Sequence, residues 1–345
     1  MTGPRAIGLA TLVWAAGAVP VPAQVGDVRN VPDPAIIKAG SRYYIFSTGP
    51  GVEIRRSDDL WKWERLGTVF DTPLPSWAER EVPGTRLPWA PDISYFNGRY
   101  HLYYALSTFG GQRSVIGLAT NRTLDRDSSD YRWVDQGKVL ESHPGRDPFN
   151  AIDPAIVVED QGRVWLAWGS FWGGIKMRRI EARTGMLSSE DTTIYSLAAR
   201  AGVDAVRGPR DNQAIEGAYI IRHEGYYYLF VSFDACCRGA QSTYNVRVGR
   251  SAAVTGPYTD RDGVPMTAGG GTLLLAVSGM IAGPGHNAIL AEGGRHYIVH
   301  HYVNVAAGSA SPGAPLAIPR TLQIRPLYWA WDGWPIAGAP ITGPQ

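Results

Sequence analysis

Apolar and polar residues alternate along this chain of 345 residues in short blocks, a pattern typical of β-strands joined in hairpins. Five of these blocks begin with an ionisable residue and continue as a short apolar strand. Each then passes through a polar turn that contains glycine and ends in a second strand rich in aromatic and aliphatic residues. The pattern predicts five copies of one sheet-forming unit. The leading residues, about 60 to 70 positions apart, are Asp33, Asp92, Asp153, Glu216 and His286.

A hairpin repeat of this length predicts a β-propeller in which each unit forms one four-stranded blade. The expected fold is therefore all-β, with five blades arranged around a central axis. The innermost strand of each blade faces that axis, so equivalent positions of the five units converge there. Four carboxylates and one imidazole would then meet in a single small pocket, and we expect the active site on the axis.

The leading residues have a second interpretation, because Asp often caps turns. Turn capping would explain one or two of the five positions, but not why all five are ionisable while the rest of each strand is apolar. Placing several carboxylates in one pocket is electrostatically unfavourable, and such arrangements are typical of sites that carry out chemistry. We therefore favour the functional interpretation.

The outer part of the first unit is predicted from the segment RRSDDLWKWERLG, residues 55–67. It reads as a hairpin with Asp58 and Asp59 at its turn. Trp61 and Trp63 are expected to pack between blades, because outer aromatic residues of a propeller belong to the core far more often than to a ligand site.

Net charge and aromatic content indicate which kinds of molecule the protein is expected to bind. The net charge is only +2, both signs are interspersed, and no basic run stands out, so neither nucleic acid nor a membrane is an expected partner. The 12 Trp and 17 Tyr residues favour a carbohydrate, because flat aromatic faces stack on the apolar faces of sugar rings. The sequence carries no information on oligomeric state.

The first 23 residues are predicted to be a signal peptide. Arg5 supplies a positive charge, an apolar stretch follows from Ala6 to Val19, and Val21-Pro22-Ala23 resembles a cleavage site. A membrane anchor is the alternative, but this stretch is shorter than the roughly 20 residues that a span needs. We expect a secreted or periplasmic protein whose residues 24–345 form one catalytic propeller domain.

Cys236 and Cys237 are the two cysteines of the chain, and they are adjacent. They cannot join distant parts of the fold. They either form a disulfide with each other, as an oxidising compartment would permit, or remain two thiols. Their simplest role is structural, although their loop directly follows the Glu216 hairpin and could border the cleft.

Hydrolysis of a glycosidic bond requires two carboxyl groups that flank the bond. Asp33, Asp153 and Glu216 are the best candidates. Asp33 and Asp153 both precede proline, which is expected to push each Asp into an extended conformation and so aim its side chain. Glu216 is one methylene longer, which helps it to reach a leaving-group oxygen. Asp92 instead follows Pro91, and we expect it to orient the site or hold the inner loop.

Several motifs, in order and spread over nearly the whole chain, closely resemble glycoside hydrolase family 43, in particular its endo-1,5-α-L-arabinanases. The resemblance implies a five-bladed propeller that acts with inversion on α-1,5-linked arabinan. One departure is Pro32, where many arabinanases have His immediately before the catalytic Asp. The motifs are NVPDPAII, LPWAPDI, STFGGQRSVIGLA, NAIDPAIV, WGSFWGGIK, QAIEGAYI, CCRGAQSTYNVRVGRS and GPGHNAIL.

The same resemblance implies roles for individual residues. Asp33 would be the general base that activates water, Glu216 the general acid, and Asp153 would raise the pKa of Glu216 and orient it. His286 matches an axial histidine near which family members hold a calcium or sodium ion, largely through water. Eight residues would bind substrate, and Asp92 is among them as an orienting residue. They are Trp89, Asp92, Phe109, Gly110, Asn150, Ser170, Phe171 and Trp172.

Four alternatives stay open. Trp89 and Trp172 could equally be core residues between blades, and His286 alone would more often be a structural histidine. The same scaffold could carry an exo-acting arabinanase, an α-L-arabinofuranosidase or a β-xylosidase. The chain could also be a sugar-binding propeller without catalysis, although binding alone does not need three carboxylates in one pocket.

Overall fold

The computed structural model describes residues 24–202, 214–307 and 319–345. The predicted signal peptide, residues 1–23, lies outside these ranges. Five sheets follow one another along the chain, and each is one blade of a propeller. The predicted five-bladed, all-β fold is confirmed.

Each blade is an antiparallel meander, and the first blade carries one extra short strand, β1, which pairs in parallel with β5. The strands of blade 1 are β1 (Val25–Gly26), β2 (Ala35–Ala39), β3 (Arg42–Ser47), β4 (Glu53–Ser57) and β5 (Lys62–Thr68). Those of blade 2 are β6 (Trp89–Phe96), β7 (Arg99–Leu106), β8 (Ser114–Asn121) and β9 (Val134–Ser142). Those of blade 3 are β10 (Ala155–Val158), β11 (Val164–Trp168), β12 (Ile175–Ile180) and β13 (Tyr195–Ala198).

The last two blades have the same order of strands. Blade 4 comprises β14 (Ile215–His223), β15 (Tyr226–Phe233), β16 (Asn245–Ser251) and β17 (Thr272–Leu275). Blade 5 comprises β18 (Ile281–Glu292), β19 (Arg295–Asn304), β20 (Arg320–Trp329) and β21 (Pro335–Ala337). In the part of the chain that the structure describes, one short α-helix, α1 (Ala78–Glu81), and three 3₁₀ turns (Gly239–Gln241, Met266–Ala268 and Val305–Ala307) lie in the connections. Within the described ranges, none of the helices has the length and apolar character needed to cross a membrane.

Among the described residues, the hydrophobic core is divided into five clusters, and each cluster lies between two adjacent blades. Trp63 belongs to the cluster between blades 1 and 5 and is 1% exposed, as predicted. Trp61 is only partly buried, and packing between blades is confirmed for Trp63 and stays a prediction for Trp61. Because every blade packs on two neighbours, the five inner strands are held at fixed positions around the axis.

The ring is closed by residues 24–31, which run between blades 1 and 5. On one side the N–H of Val25 donates to the carbonyl of Trp61 at 2.9 Å. On the other side the N–H of Leu322 donates to the carbonyl of Val28, also at 2.9 Å. The buried side chain of Gln24 donates to the carbonyl of Ile341 (3.1 Å) and accepts the N–H of Ile324 (3.0 Å). The first described residues therefore join the first blade to the last.

Candidate active site

Four of the five leading residues line one cavity of about 760 Å³. Asp33, Asp153, Glu216 and His286 come from blades 1, 3, 4 and 5, and blade 2 contributes wall residues. The predicted convergence of these positions on the propeller axis is therefore observed.

Backbone conformation aims three of these side chains. Asp33, Asp153 and His286 have positive φ angles of 53°, 56° and 47°. The extended conformation expected for Asp33 and Asp153 was therefore wrong. The following proline disfavours the right-handed helical region, but Asp tolerates the left-handed region better than most residues, because its short polar side chain can form local hydrogen bonds. Such strained conformations concentrate at functional sites.

Asp33 is held by two residues that the sequence did not single out. Its N–H donates to Nδ1 of His301 at 3.0 Å, and the hydroxyl of Thr48 donates to its carboxylate at 2.5 Å. The hydroxyl of Thr48 also accepts the N–H of Ala90 at 2.7 Å. Nδ1 of His286 lies 3.4 Å from the other carboxylate oxygen. Blades 1, 2 and 5 thus fix this carboxylate together.

The electrostatic surroundings of Asp33 favour its ionised form. Burial raises the pKa of Asp33, but nearby His286 and Arg320, together with the Thr48 hydrogen bond, lower it below the ordinary value. His301 is neutral, because burial lowers its pKa well below the ordinary value, and its unprotonated Nδ1 accepts the N–H of Asp33.

Glu216 accepts a hydrogen bond on each of its two carboxylate oxygens. The hydroxyl of Ser170 donates to Oε2 at 2.6 Å, and the hydroxyl of Tyr244 donates to Oε1 at 2.9 Å. The Cα register of β14 shifts between Glu216 and Tyr219, and bulges of this kind re-aim side chains. Two donors on two oxygens leave little rotational freedom, so the carboxyl has one defined orientation.

Asp153 lies beside the same carboxyl group. Its Oδ2 accepts the N–H of Gly217 at 3.0 Å. Burial, assisted by the charges of Glu216 and Asp33, raises the pKa of Asp153 to about 7. A side chain at Gly217 would lie 3.2 Å from the His286 ring, so glycine is what allows blades 4 and 5 to approach here.

Asp92 departs from the predicted arrangement. In the part of the chain that the structure describes, it is not among the residues that line the cavity. It is 5% exposed, and its carboxylate accepts the N–H of Ile156 at 2.6 Å. Burial raises the pKa of Asp92 to about 7. Asp92 thus lies outside the described cavity wall and links the inner strands of blades 2 and 3, a place close to the expected one of holding the inner loop.

One side of the cavity is lined by the aromatic segments singled out in the sequence. Phe109 is 84% exposed. Phe171 and Trp172 have positive φ angles of 56° and 35°, which is unusual for bulky residues and is fixed in part by the N–H of Phe171 donating to the carbonyl of Ile215. All seven predicted residues of this wall line the cavity, namely Trp89, Phe109, Gly110, Asn150, Ser170, Phe171 and Trp172.

The loop that follows β15 contributes another part of the wall. Cys236 and Cys237 are joined by a disulfide, which decides between the two alternatives that the sequence left open. Both cysteines line the cavity, as do Ala235, Arg238 and Arg320. Nη2 of Arg320 lies 2.8 Å from Sγ of Cys237.

The donor set around His286 does not by itself form a metal cage. Among residues 24–202, 214–307 and 319–345, no group of three or more His, Cys, Asp or Glu side chains could hold a metal ion. His286 offers one imidazole, whereas calcium takes six to eight oxygen ligands. The protein side chains alone therefore fit a directly coordinated calcium poorly, and water would have to supply most of the shell.

Comparison with known proteins agrees with the glycoside hydrolysis that the cavity geometry indicates. The model of glycosyl hydrolases family 43 matches residues 28–335. An extracellular exo-α-(1→5)-L-arabinofuranosidase of Cellvibrio japonicus is 41% identical over 313 residues, which is 89% of this chain and 86% of that protein. An extracellular endo-α-(1→5)-L-arabinanase of Bacillus subtilis is 39% identical over 308 residues, 88% of this chain and 86% of that protein.

Solved structures agree in fold. The structure of Cellvibrio cellulosa α-L-arabinanase complexed with arabinohexaose superposes with a TM-score of 0.81 at 38% identity, covering 90% of this chain and 96% of that one. The family match spans far more than half of the sequence, and several relatives exceed 30% identity over most of its length. The chain is therefore a glycoside hydrolase and belongs to glycosyl hydrolase family 43.

Proposed function

We propose that this protein is an extracellular, inverting endo-arabinanase that cleaves α-1,5-linked L-arabinofuranosyl bonds in arabinan. The observation that carries this proposal is the cavity on the axis, which Asp33, Asp153 and Glu216 share. Its aromatic wall suits a sugar chain. Similar proteins named for action on α-1,5-linked arabinose support the substrate, and their description as extracellular supports secretion.

Glu216 is the proposed general acid. The hydroxyls of Ser170 and Tyr244 fix its carboxyl group, and a general acid must be held within reach of the oxygen that it protonates. Asp153 acts through Glu216. Burial raises the pKa of Asp153 to about 7, so Asp153 carries its own proton below that pH. Once ionised, it places a negative charge beside Glu216, and such a charge favours the protonated form of a neighbouring acid.

Asp33 is the proposed general base. Its lowered pKa keeps it ionised in the pH range in which the raised pKa of Asp153 leaves that group protonated, so one cavity contains both an ionised and a protonated carboxyl group. The hydrogen bonds from Thr48 and to His301 fix the direction in which Asp33 would accept the proton of a water molecule. In an inverting enzyme that water attacks the face of the sugar opposite the leaving group.

An axial calcium or sodium ion beside His286 is part of the proposal, held mainly by water. Such an ion would offset part of the repulsion among the carboxylates. Exhaustive chelation should then lower both the melting temperature and the rate of arabinan hydrolysis, with His286→Ala as the parallel variant. Active protein that elemental analysis finds free of metal, with melting and rate unchanged by chelation, would leave His286 as a hydrogen-bonding residue.

A substrate panel tests the function. Linear debranched arabinan, nitrophenyl α-L-arabinofuranoside and nitrophenyl β-D-xyloside are incubated with the protein, and Glu216→Gln serves as the matched inactive control. Cleavage of the polymer alone into mixed oligosaccharides supports the endo proposal. Release of nitrophenol, or of one short product from the chain end, indicates an exo-acting enzyme or a xylosidase. Binding of arabinan without cleavage of any substrate would indicate a sugar-binding propeller.

A further inference from the structure

The disulfide between Cys236 and Cys237 lies on the surface of the cavity rather than in the core. Cys236 is partly buried and Cys237 is exposed, and both line the same cavity as Asp33 and Glu216. General stabilisation does not explain this bond, because a disulfide stabilises a fold mainly by closing a long loop of the unfolded chain. A bond between neighbouring residues closes almost none.

The loop that carries the disulfide is fixed at both of its ends. The carbonyl of Ala235 accepts the N–H groups of Thr243 and Tyr244, at 3.0 and 3.1 Å, and the hydroxyl of Ser242 at 2.9 Å. Tyr244 in turn donates to Glu216. The disulfide is thus held in a defined place beside the carboxyl group that is proposed to donate the proton.

The chemistry of this part of the wall suits a sugar ring. A disulfide has no ionisable proton and no charge, and its sulfur atoms are large and polarisable. Arg320 lies against Sγ of Cys237, and its charge also lowers the pKa of Asp33. The wall therefore presents an apolar surface next to guanidinium N–H donors, which matches a furanose ring with an apolar face and hydroxyl groups.

We propose that the Cys236–Cys237 disulfide, together with Arg320, is a substrate-binding surface that contacts an arabinofuranosyl unit of the bound chain. The inference rests on the proposed function for the identity of the sugar. Since a covalently closed pair of residues has few conformations to lose on binding, it makes a low-entropy contact. Two reduced thiols, or two serines, would be more mobile and more strongly hydrated.

The test compares the two redox states of the protein with arabinohexaose as the substrate. The protein is assayed oxidised and after reduction with a phosphine, with the number of free thiols counted by mass spectrometry. Reduction, or the double change Cys236→Ser and Cys237→Ser, should raise KM about four- to fifteenfold, the size expected for losing one or two methylene-sized contacts. The value of kcat should stay the same, and the double variant should not respond to the phosphine.

Two controls separate contact from indirect effects. Ala240→Ser changes the same loop at an exposed position outside the described cavity wall and should leave KM unchanged. Tyr244→Phe removes a hydrogen bond to Glu216 and should lower kcat. Tyr244→Phe is expected to lower kcat at constant KM. If reduction has the same effect, the loop acts by positioning Glu216, and the proposed contact between the disulfide and the sugar is refuted. An unchanged KM of the fully reduced protein also refutes the proposed contact.

Failure of the proposed function is recognised separately. The Kd of arabinohexaose is measured for the Glu216→Gln variant in both redox states, so that no turnover is needed. A Kd that rises about four- to fifteenfold on reduction supports the proposed binding surface, whereas equal Kd values in the two redox states overturn this inference alone. A protein that neither binds nor cleaves arabinohexaose overturns both this inference and the assignment of the substrate.

Discussion

Replacing Asp92 with Asn should remove a large part of the pH dependence of stability. The Asp92 carboxyl group is 5% exposed, and burial raises its pKa from 3.8 to about 7, with the Ile156 and Ile93 N–H groups and the charge of His286 acting in the opposite direction. Tyr103 and Tyr219 are the other titratable neighbours, and their pKa values are raised partly by Asp92. Asn keeps an oxygen that can accept the N–H of Ile156.

The size of the effect follows from the two pKa values. Because the pKa of Asp92 is raised in the folded state, the unfolded chain loses this proton first as pH rises. The contribution of Asp92 to the free energy of unfolding is therefore fully present below about pH 4, and it is lost between about pH 4 and pH 7. A pKa difference of about 3 corresponds to about 4 kcal/mol, which is the upper limit of the loss.

The assay is denaturant unfolding of wild type and Asp92→Asn at closely spaced pH values from 4 to 8. The wild type should lose up to about 4 kcal/mol more than the variant over this range. Asp153 has a similarly raised pKa, but it titrates in both proteins, so the difference between the two curves isolates Asp92. Asp58→Asn removes an exposed carboxylate and is the control for net charge. Parallel curves for wild type and Asp92→Asn would refute the buried, protonated Asp92 described above.

Three further predictions concern the proposed reaction. Glu216→Gln should lower kcat on arabinan at least about 100-fold while the Kd of arabinohexaose, measured by calorimetry, changes little; weakened binding with intact kcat would contradict its role. Asp153→Asn should lower kcat and move the basic limb of the pH–rate profile to lower pH, because a neighbouring carboxylate favours the protonated form of an acid; an unmoved limb would count against Asp153. Proton NMR of the first product should show the anomer opposite to the substrate linkage, and initial retention would rule out Asp33 as a base acting through water.

The fold and the meeting of four leading residues in one cavity were predictable because both depend on local patterns. A hairpin repeat is visible in the sequence as alternating polarity with glycine turns, and one ionisable residue marks the same position of each unit. The geometry of a propeller then brings these positions together without further information. The four cavity residues Asp33, Asp153, Glu216 and His286 were found in this way.

The residues that hold the carboxylates were not predictable, because they lie on other blades or at unremarkable positions. Thr48 and Tyr244 lie beside strand ends in the same blades as Asp33 and Glu216, where nothing in their sequence marks them. His301 lies within β19 of blade 5, and only the assembled ring brings it to Asp33. The left-handed conformation of Asp33 and Asp153 was missed because the effect of a following proline was read as a preference for extended backbone. Asp92 shared the pattern of the other leading residues, but it bonds to the neighbouring blade.

Closure of the ring by residues 24–31 has a consequence for the order of events in biosynthesis. Gln24 bonds to Ile341, which is 317 positions away along the chain, so this contact cannot form until nearly the whole polypeptide has been made. Until then the early blades form an open arc whose two end faces lack their partner. Contacts between such distant parts of a chain carry a large loop-closure entropy and form slowly. Completion of the axial cavity is therefore coupled to the last step of folding, and no partly synthesised chain has a finished site.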